Sequence, residues 1–159
     1  MKVSVFAIGK SDPLLIGAVE YYQEMAQHYW KIEVQEFNSG VSNWKGAPPS
    51  EVAKKECEGI MSKLPKEANV IALERLGKEM DSVALSEYLQ DCALMSVQHI
   101  IFVIGGAYGM SKELLERADQ VITMSPFTFT HGFARLILLE QLYRAGTIMR
   151  NEPYHKGTL

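Results

Sequence analysis

A glycine-rich stretch, Gly105 to Gly109 (GGAYG), follows the most apolar run of the chain and precedes a short helical pattern. Glycines let the backbone approach a ligand closely, and ligands in α/β sheets bind where the carboxyl ends of the strands meet. The spacing is G-G-x-x-G and comes late in the chain, whereas a dinucleotide-binding fingerprint is G-x-G-x-x-G and opens its fold. The stretch therefore predicts either a ligand-binding loop or a plain tight turn.

Two further segments follow predicted strands in the same way. Residues 73–78 (LERLGK) end one strand, and residues 124–129 (MSPFTF) end another. If these strands and the strand before Gly105 are neighbours, their loops form one cleft that would hold an adenosine through backbone hydrogen bonds and an apolar wall. Core packing is the alternative role for Phe127 and Phe129, since burial is the commoner fate of aromatic side chains.

His131 and Arg135 are four residues apart in a helical pattern, which places them on one face. Both side chains could contact a phosphate or a base, and a helix N-terminus at this point would favour an anion. The alternative is a surface helix held by ion pairs, or a histidine that caps a neighbouring segment.

The C-terminal segment NEPYHK, residues 151–156, has no hydrophobic periodicity. Tyr154, His155 and Lys156 bring together an aromatic ring, a titratable imidazole and an amine. This combination suits contact with RNA, whose unpaired bases stack on aromatic rings. A frayed terminus without a role is the alternative, because chain ends are usually poorly ordered.

The elements that must position these groups alternate between strands and helices. The predicted strands and helices are, in turn, residues 2–9, 31–37, 69–73, 99–104 and 121–124, and residues 13–28, 51–64, 81–95, 112–118 and 131–149. Residues 31–37 alternate as an exposed or edge strand does, residues 99–104 are apolar enough to be central, and residues 38–49 form a loop. The alternation predicts one α/β domain over residues 1–159, with a mainly parallel sheet and helices on both faces.

The last predicted helix, residues 131–149, is apolar nearly all round. A helix that is buried on one side needs a narrower apolar face. We therefore expect this helix to be covered on two sides, by its own sheet and by a second chain. A symmetric homodimer is the economical arrangement.

Composition and charge narrow the class of protein. The chain has 159 residues, 47% of them hydrophobic, and a net charge of −3, which argues against a non-specific nucleic-acid binder. Residues 131–159 hold four basic and two acidic residues, a basic end on an acidic body. No run is long enough to span a membrane, and the N-terminus does not resemble a signal peptide. Cys57 and Cys92 lack metal or disulfide spacing, which fits a reducing cytoplasm.

Taken together, these segments resemble one family. The chain is similar to the ribosomal RNA large subunit methyltransferase H family of the SPOUT superfamily. The resemblance covers almost the whole chain and is weakest in residues 38–50. The segments that carry it, in order, are KVSVFAIGK, ALERLGKEMDS, HIIFVIGGAYGMS, the loop at residues 125–129, HGFAR, LLEQLYRA and NEPYHK.

The resemblance implies a C-terminal trefoil knot, a rare feature that no periodicity predicts. It also implies a homodimer that uses S-adenosylmethionine as co-substrate, without a metal. The implied reaction is methylation of N3 of a pseudouridine in helix 69 of 23S rRNA, on the assembled 70S ribosome.

The resemblance also implies roles for individual residues. The methyl donor would lie against Leu73, Gly105, Met124, Ser125, Pro126, Phe127, Thr128 and Phe129. The residues implied to face the RNA are His131, Arg135, Tyr154 and His155, with Arg144 as a further candidate. We expect His155 or His131 to take the N3 proton and Arg135 to stabilise the anion that develops on the base. The tail of one subunit would complete the site of the other.

The chain departs from the family pattern near the donor loop. Pro126 and Phe127 stand where Lys and Met are usual, and Thr130 and Gly132 replace Pro and Gln. Two alternatives follow from the residues. One is a SPOUT homologue that binds ribosomes but is catalytically impaired, and the other is a nucleotide-binding oxidoreductase that uses the glycine stretch.

Overall fold

Five parallel strands form one sheet in the order β2-β1-β4-β3-β5. The computed structural model describes residues 1–39 and 46–156. The strands are β1 (Lys2–Ile8), β2 (Lys31–Phe37), β3 (Asn69–Glu79), β4 (His99–Ile104) and β5 (Gln120–Thr123). The helices are α1 (Ile16–Gln27), α2 (Pro49–Met61), α3 (Ser82–Leu94), α4 (Lys112–Arg117) and α5 (His131–Met149).

The helices cover both faces of the sheet, so two apolar cores form. Helices α1, α3 and α5 pack on one face, where the alternate β4 side chains Ile100, Phe102 and Ile104 meet Leu138 of α5. Helices α2 and α4 pack on the other face, around Ile101 and Val103. This arrangement confirms the predicted α/β sheet with helices on both faces. The trefoil knot stays a prediction.

Several elements lie where the sequence predicts them. Strand β4 is the central strand, β2 is an edge strand, and β2, β4 and α5 have the predicted bounds. Most other ends differ by one to three residues, as helix termini often do. In the predicted loop over residues 38–49, Pro49 already belongs to α2 and residues 40–45 lie outside the described residues.

Helix α1 begins at Ile16, so the prediction of a helix that starts at residue 13 is wrong. The Asp12 carboxylate accepts a hydrogen bond from the Leu14 amide, and the Asp12 carbonyl accepts one from the Leu15 amide. These bonds close a separate turn, because aspartate side chains bond to the backbone two residues on. The helix starts only after that turn.

Strand β3 extends to Glu79, so the prediction that it ends at residue 73 is also wrong. Its pairing with β5 breaks after Leu73 and resumes at Lys78, which is paired with Ile122. Gly77 makes the second stretch possible, since a Cβ atom there would lie 2.5 Å from the Ile122 carbonyl carbon. The predicted loop over residues 74–78 is therefore a bulged continuation of the strand.

Helix α5 is enclosed by more than the sheet. The Trp30 indole donates to the Leu142 carbonyl, and the Ser86 hydroxyl of α3 donates to the Ala145 carbonyl. Gly146 lets the Tyr29 ring lie so close that a Cβ atom there would come within 2.2 Å of it. Neighbours within the chain thus explain much of the apolar pattern, and cover by a second chain stays a prediction. No helix in the described residues is long and apolar enough to cross a membrane.

Candidate active site

One cavity of about 770 Å³ lies at the carboxyl ends of β4 and β5 and at the break in β3 after Leu73, and these three strands are neighbours in the sheet. It is lined by the three segments that the sequence singles out. The lining residues are Leu73, Glu74, Arg75, Ile104, Gly105, Gly106, Ala107, Tyr108, Gly109, Met110, Thr123, Met124, Ser125, Phe127, Thr128, Phe129, Thr130, His131 and Ala134. The prediction of a single cleft at these three strand ends is confirmed.

The glycine loop that follows β4 is a tight turn and also a wall of the cavity. The Gly109 amide donates to the Gly106 carbonyl over 3.1 Å, and Gly109 has a φ of 77°. A Cβ atom on Gly105 would lie 2.9 Å from the Gly109 carbonyl oxygen. The tight turn is thus confirmed, and the loop backbone lies against the cavity. Ligand binding by this loop stays a prediction.

The loop after β5 is held by its own side chains. The Thr123 hydroxyl donates to the Ser125 carbonyl over 2.8 Å, and the Ser125 hydroxyl accepts from the Phe127 amide over 3.0 Å. Phe127 is 80% exposed and Phe129 38% exposed, so the alternative that both are core residues is wrong. Of the predicted donor segment, Pro126 alone is not among the described residues that line the cavity.

His131 begins α5 at the edge of the cavity. The Thr130 hydroxyl caps the helix by accepting from the Phe133 amide, and the His131 Nε2 atom lies 3.2 Å from the Lys10 carbonyl oxygen. Gly9 has a φ of +91°, and a Cβ atom there would lie 3.0 Å from the His131 ring. The ring therefore rests on the segment that follows β1.

Gly132, one of the departures from the family pattern, also faces this segment. A Cβ atom on Gly132 would lie 3.0 Å from the Asp12 Cβ and 3.4 Å from the Leu15 Cδ1. The glycine thus allows the first turn of α5 to approach the turn before α1.

Arg135 does not face outward, contrary to the expectation that it contacts RNA. The side chain is 1% exposed. Its Nη1 atom lies 2.6 Å from the Glu36 Oε1, and its Nη2 donates to the Gly9 carbonyl over 3.2 Å. Nη1 also donates to the Ser11 hydroxyl. The Nη1 and Nη2 atoms thus bond within the protein, and Arg135 is not among the described residues that line the cavity.

The Arg135 guanidinium changes the acidity of the Glu36 carboxyl. Its hydrogen bond lowers the pKa of the Glu36 carboxyl, and further hydrogen bonds from the Ser11 hydroxyl and amide act in the same direction. Glu36 is therefore held as an anion at the end of β2.

The C-terminal segment is docked on α5. The Tyr154 ring lies 4.5 Å from the Tyr143 ring, and its hydroxyl donates to the Glu140 carboxylate over 3.0 Å. The Arg144 guanidinium lies 4.7 Å from the centre of the Tyr154 ring and also donates to Glu140. The His155 Nδ1 is 3.4 Å from the Arg144 Nη1. Residues 151–156 therefore do not form a frayed end.

Burial raises the pKa of the Tyr154 hydroxyl, and hydrogen bonds with Tyr22 and Glu140 raise it further. The phenol thus stays protonated and serves as a hydrogen-bond donor. Glu140 is the shared acceptor for two of the predicted RNA-facing groups.

The structure does not bring all predicted site residues together in one chain. His131 opens α5, and Arg144 lies thirteen residues further along it. At about 1.5 Å per residue, the two are separated by about 20 Å along the helix axis. Tyr154 and His155 lie beside Arg144, so they are far from the cavity of their own chain.

Sequence reasoning did not assign a role to some residues of the site. Glu74, Arg75 and Tyr108 line the cavity within segments that the sequence singles out, and Thr123 lines it from the end of β5. The alternation over residues 31–37 predicts an exposed or edge strand and gives no role to Glu36. Its partner Arg135 is 99 positions away, so no local pattern reveals the pair.

Comparisons with known proteins show the family to which this chain is related. The family described as Predicted SPOUT methyltransferase matches residues 1–155. The Clostridium perfringens protein named Ribosomal RNA large subunit methyltransferase H 1 is 38% identical, over 98% of this chain and 100% of its own length. Proteins named Ribosomal RNA large subunit methyltransferase H from Halothermothrix orenii and Christiangramia forsetii are each 39% identical, over 98% of this chain and 100% and 99% of their own lengths. The chain therefore belongs to the SPOUT methyltransferase family.

Proposed function

We propose that this protein methylates ribosomal RNA with S-adenosylmethionine as the methyl donor. The observation that carries the proposal is the cavity at the ends of β4 and β5 and at the break in β3, in a chain of a methyltransferase family. The relatives' names supply the class of substrate, ribosomal RNA of the large subunit. The specific target we propose is N3 of a pseudouridine in helix 69 of 23S rRNA, on the assembled 70S ribosome in the cytoplasm.

The cavity fits an adenosine-containing donor. Its volume of about 770 Å³ falls in the usual range for small-molecule sites, roughly 300–1,000 Å³. Leu73, Ile104 and Met124 provide apolar surface, and the glycine loop brings backbone groups to the same space. In the proposal, Leu73, Gly105 and residues 124–129 hold the donor, mainly through the backbone. Phe127 in place of a usual methionine is compatible with that mode of binding.

When bound, the donor supplies an electrophilic methyl group on a sulfonium. The pseudouridine N3 carries a proton and becomes nucleophilic only when that proton is removed. His131 at the cavity edge or His155 on the tail would take it, since histidine is the side chain that most often serves as a general base. The cavity walls would hold the base in line with the methyl group, which is the main source of the rate.

We propose that the working unit is a homodimer in which the tail of one chain completes the cavity of the other. The separation of about 20 Å between His131 and Arg144 along α5 supports this. Half-exposed apolar side chains on α5, such as Leu136 and Ile137, together with the exposed Phe133, offer surface for a second copy. Arg144, Tyr154 and His155 would then reach the RNA beside the partner's cavity.

The proposed activity is tested with labelled S-adenosylmethionine and 70S ribosomes that lack the modification. We expect label in the fragment of 23S rRNA that contains helix 69, and none with a His155→Ala variant if His155 is the base. A normal rate in that variant would remove His155 from the mechanism. Calorimetry separates the alternatives. Donor binding without transfer indicates an impaired ribosome-binding homologue, and binding of NAD without binding of the donor indicates an oxidoreductase.

The shared site is tested by mixing two inactive variants, His131→Ala and His155→Ala. After subunit exchange, a mixed dimer contains one site with both histidines intact. Random exchange then restores about a quarter of the sites. If both histidines act within one chain, mixing restores no activity.

A further inference from the structure

The buried Arg135 guanidinium ties together three parts of the chain that are remote in sequence. It reaches the Glu36 carboxylate at the end of β2 and the Gly9 carbonyl after β1. The Glu36 Oε1 atom accepts from the Ser11 amide over 2.7 Å and from the Ser11 hydroxyl over 2.8 Å. Residues 9 to 11 are therefore clamped from two sides by one ion pair.

The Lys10 carbonyl oxygen of this clamped segment lies 3.2 Å from Nε2 of the His131 ring, within hydrogen-bond distance. The same segment approaches the ring through Gly9, where a Cβ atom would come within 3.0 Å of Nε2. His131 lies one helical turn before Arg135 on α5. The arginine thus fixes the support on which the histidine rests without touching the cavity itself.

The contact with Lys10 decides which nitrogen of the neutral ring carries the hydrogen. A carbonyl oxygen only accepts, so Nε2 must be the donor. Nδ1 is then the nitrogen that can accept a proton. A general base needs this definition, because the wrong tautomer presents an N–H where a lone pair is required.

We propose that the Glu36–Arg135 pair is a positioning device for His131, which holds the ring as the Nε2–H tautomer at the edge of the cavity. Arg135 is then a positioning residue and contacts neither the donor nor the RNA. Its catalytic consequence rests on the proposed function. The effect on the ring is a property of the protein alone.

The contacts of the Glu36–Arg135 pair indicate that it positions neighbouring groups and does not mainly stabilise the fold. The Arg135 Nε atom is buried and has no hydrogen-bond partner among the described residues. A buried donor without a partner is unfavourable. The Glu36 side chain is 37% exposed, so solvent screens its attraction to Arg135 and the pair contributes little stability. The pair makes hydrogen bonds of fixed direction to Gly9 and Ser11 at the same time. Apolar side chains could not make these bonds.

The test uses Glu36→Gln and Arg135→Lys, with Glu33→Gln as the matched control. Glu33 lies on the same strand and pairs with Lys2, away from His131. Nitrogen NMR of the imidazole, recorded at rising pH until the signals no longer change, reports the tautomer of the neutral ring. A His131→Gln variant assigns the signals. Each variant is measured below its own unfolding temperature, so that lost stability does not enter the comparison.

We expect the His131 signals to show Nε2–H in the wild type and in Glu33→Gln, and a mixture of tautomers in Glu36→Gln and Arg135→Lys. In ribosome methylation, kcat should fall about tenfold or more in both variants, as small misplacements do, with the donor KM within about twofold. An unchanged tautomer in Glu36→Gln overturns the proposal, even if Arg135→Lys fails to fold. If the wild type does not methylate ribosomes, the proposed function fails, but the NMR result still decides the positioning role.

Discussion

Replacing Gly77 with alanine should damage both the sheet and the donor cavity. A Cβ atom at this position would lie 2.5 Å from the Ile122 carbonyl carbon and 2.8 Å from its Cα and amide nitrogen. All three are backbone atoms, so no side-chain rotation relieves the contact. The strands must separate where Lys78 and Glu79 pair with β5, directly before the loop that lines the cavity.

The size of the effect follows from these distances. An ordinary carbon contact is about 3.5–4.0 Å, so the backbones must move apart by roughly 1 Å. Strain of this kind typically costs about 1–3 kcal/mol. If about 1.4 kcal/mol must be spent to bring the displaced donor loop back into its binding position, the donor affinity falls about tenfold.

The assay measures the free energy of unfolding by denaturant and donor binding by calorimetry. Gly59→Ala is the matched control. Gly59 lies within α2, and a Cβ atom there would sit 3.6 Å from Phe37, an ordinary contact. Alanine should stabilise that helix by about 0.5–1 kcal/mol, the opposite sign to Gly77→Ala. A Gly77→Ala variant as stable as the wild type, with full donor affinity, would refute the steric reasoning.

Three further predictions follow from single contacts. Thr130→Ala removes the cap of α5 and should cost about 0.5–2 kcal/mol of unfolding free energy, measured by denaturant, whereas Thr130→Ser should restore most of it. Burial lowers the pKa of His99 from its ordinary value of 6.5. As the pH is lowered, the unfolded chain therefore binds a proton at His99 before the folded chain does. His99 should thus reduce the free energy of unfolding as the pH falls below about 6.5. Melting curves of His99→Gln should show a weaker loss between about pH 7 and 5, and an equal loss would contradict this. Tyr154→Phe removes the hydrogen bond to Glu140 and should free the tail, seen as faster amide exchange in residues 152–156, while unchanged exchange would show that ring packing alone holds the tail.

The local sequence pattern was sufficient to predict the strands and helices that depend mainly on their own residues. The run at His99–Ile104 is rich in β-branched and apolar residues and forms the central strand as predicted. The apolar segment over residues 131–149 forms α5 with the predicted bounds. The three segments that line the cavity could also be found, because parallel strands bring the segments that follow their apolar runs to one edge.

The features that the sequence alone could not show depend on contacts between residues that are remote in sequence. Residues 74–78 resemble a turn, but β5, more than forty positions away, continues the strand through a bulge. Arg135 resembles a surface residue one turn after His131, but Gly9, Ser11 and Glu36 bury it from 99 or more positions away. Such contacts form only when the fold is complete, so periodicity and spacing carry no sign of them.

The most direct test of the proposed reaction is primer extension across helix 69 of 23S rRNA, after 70S ribosomes that lack the modification have been incubated with the protein and S-adenosylmethionine. N3 lies on the edge of the base that pairs with a complementary strand, so a methyl group there blocks the reverse transcriptase. We expect a stop at the target pseudouridine only when protein, donor and ribosomes are all present. Full-length extension under conditions in which the donor is bound would contradict methylation at N3.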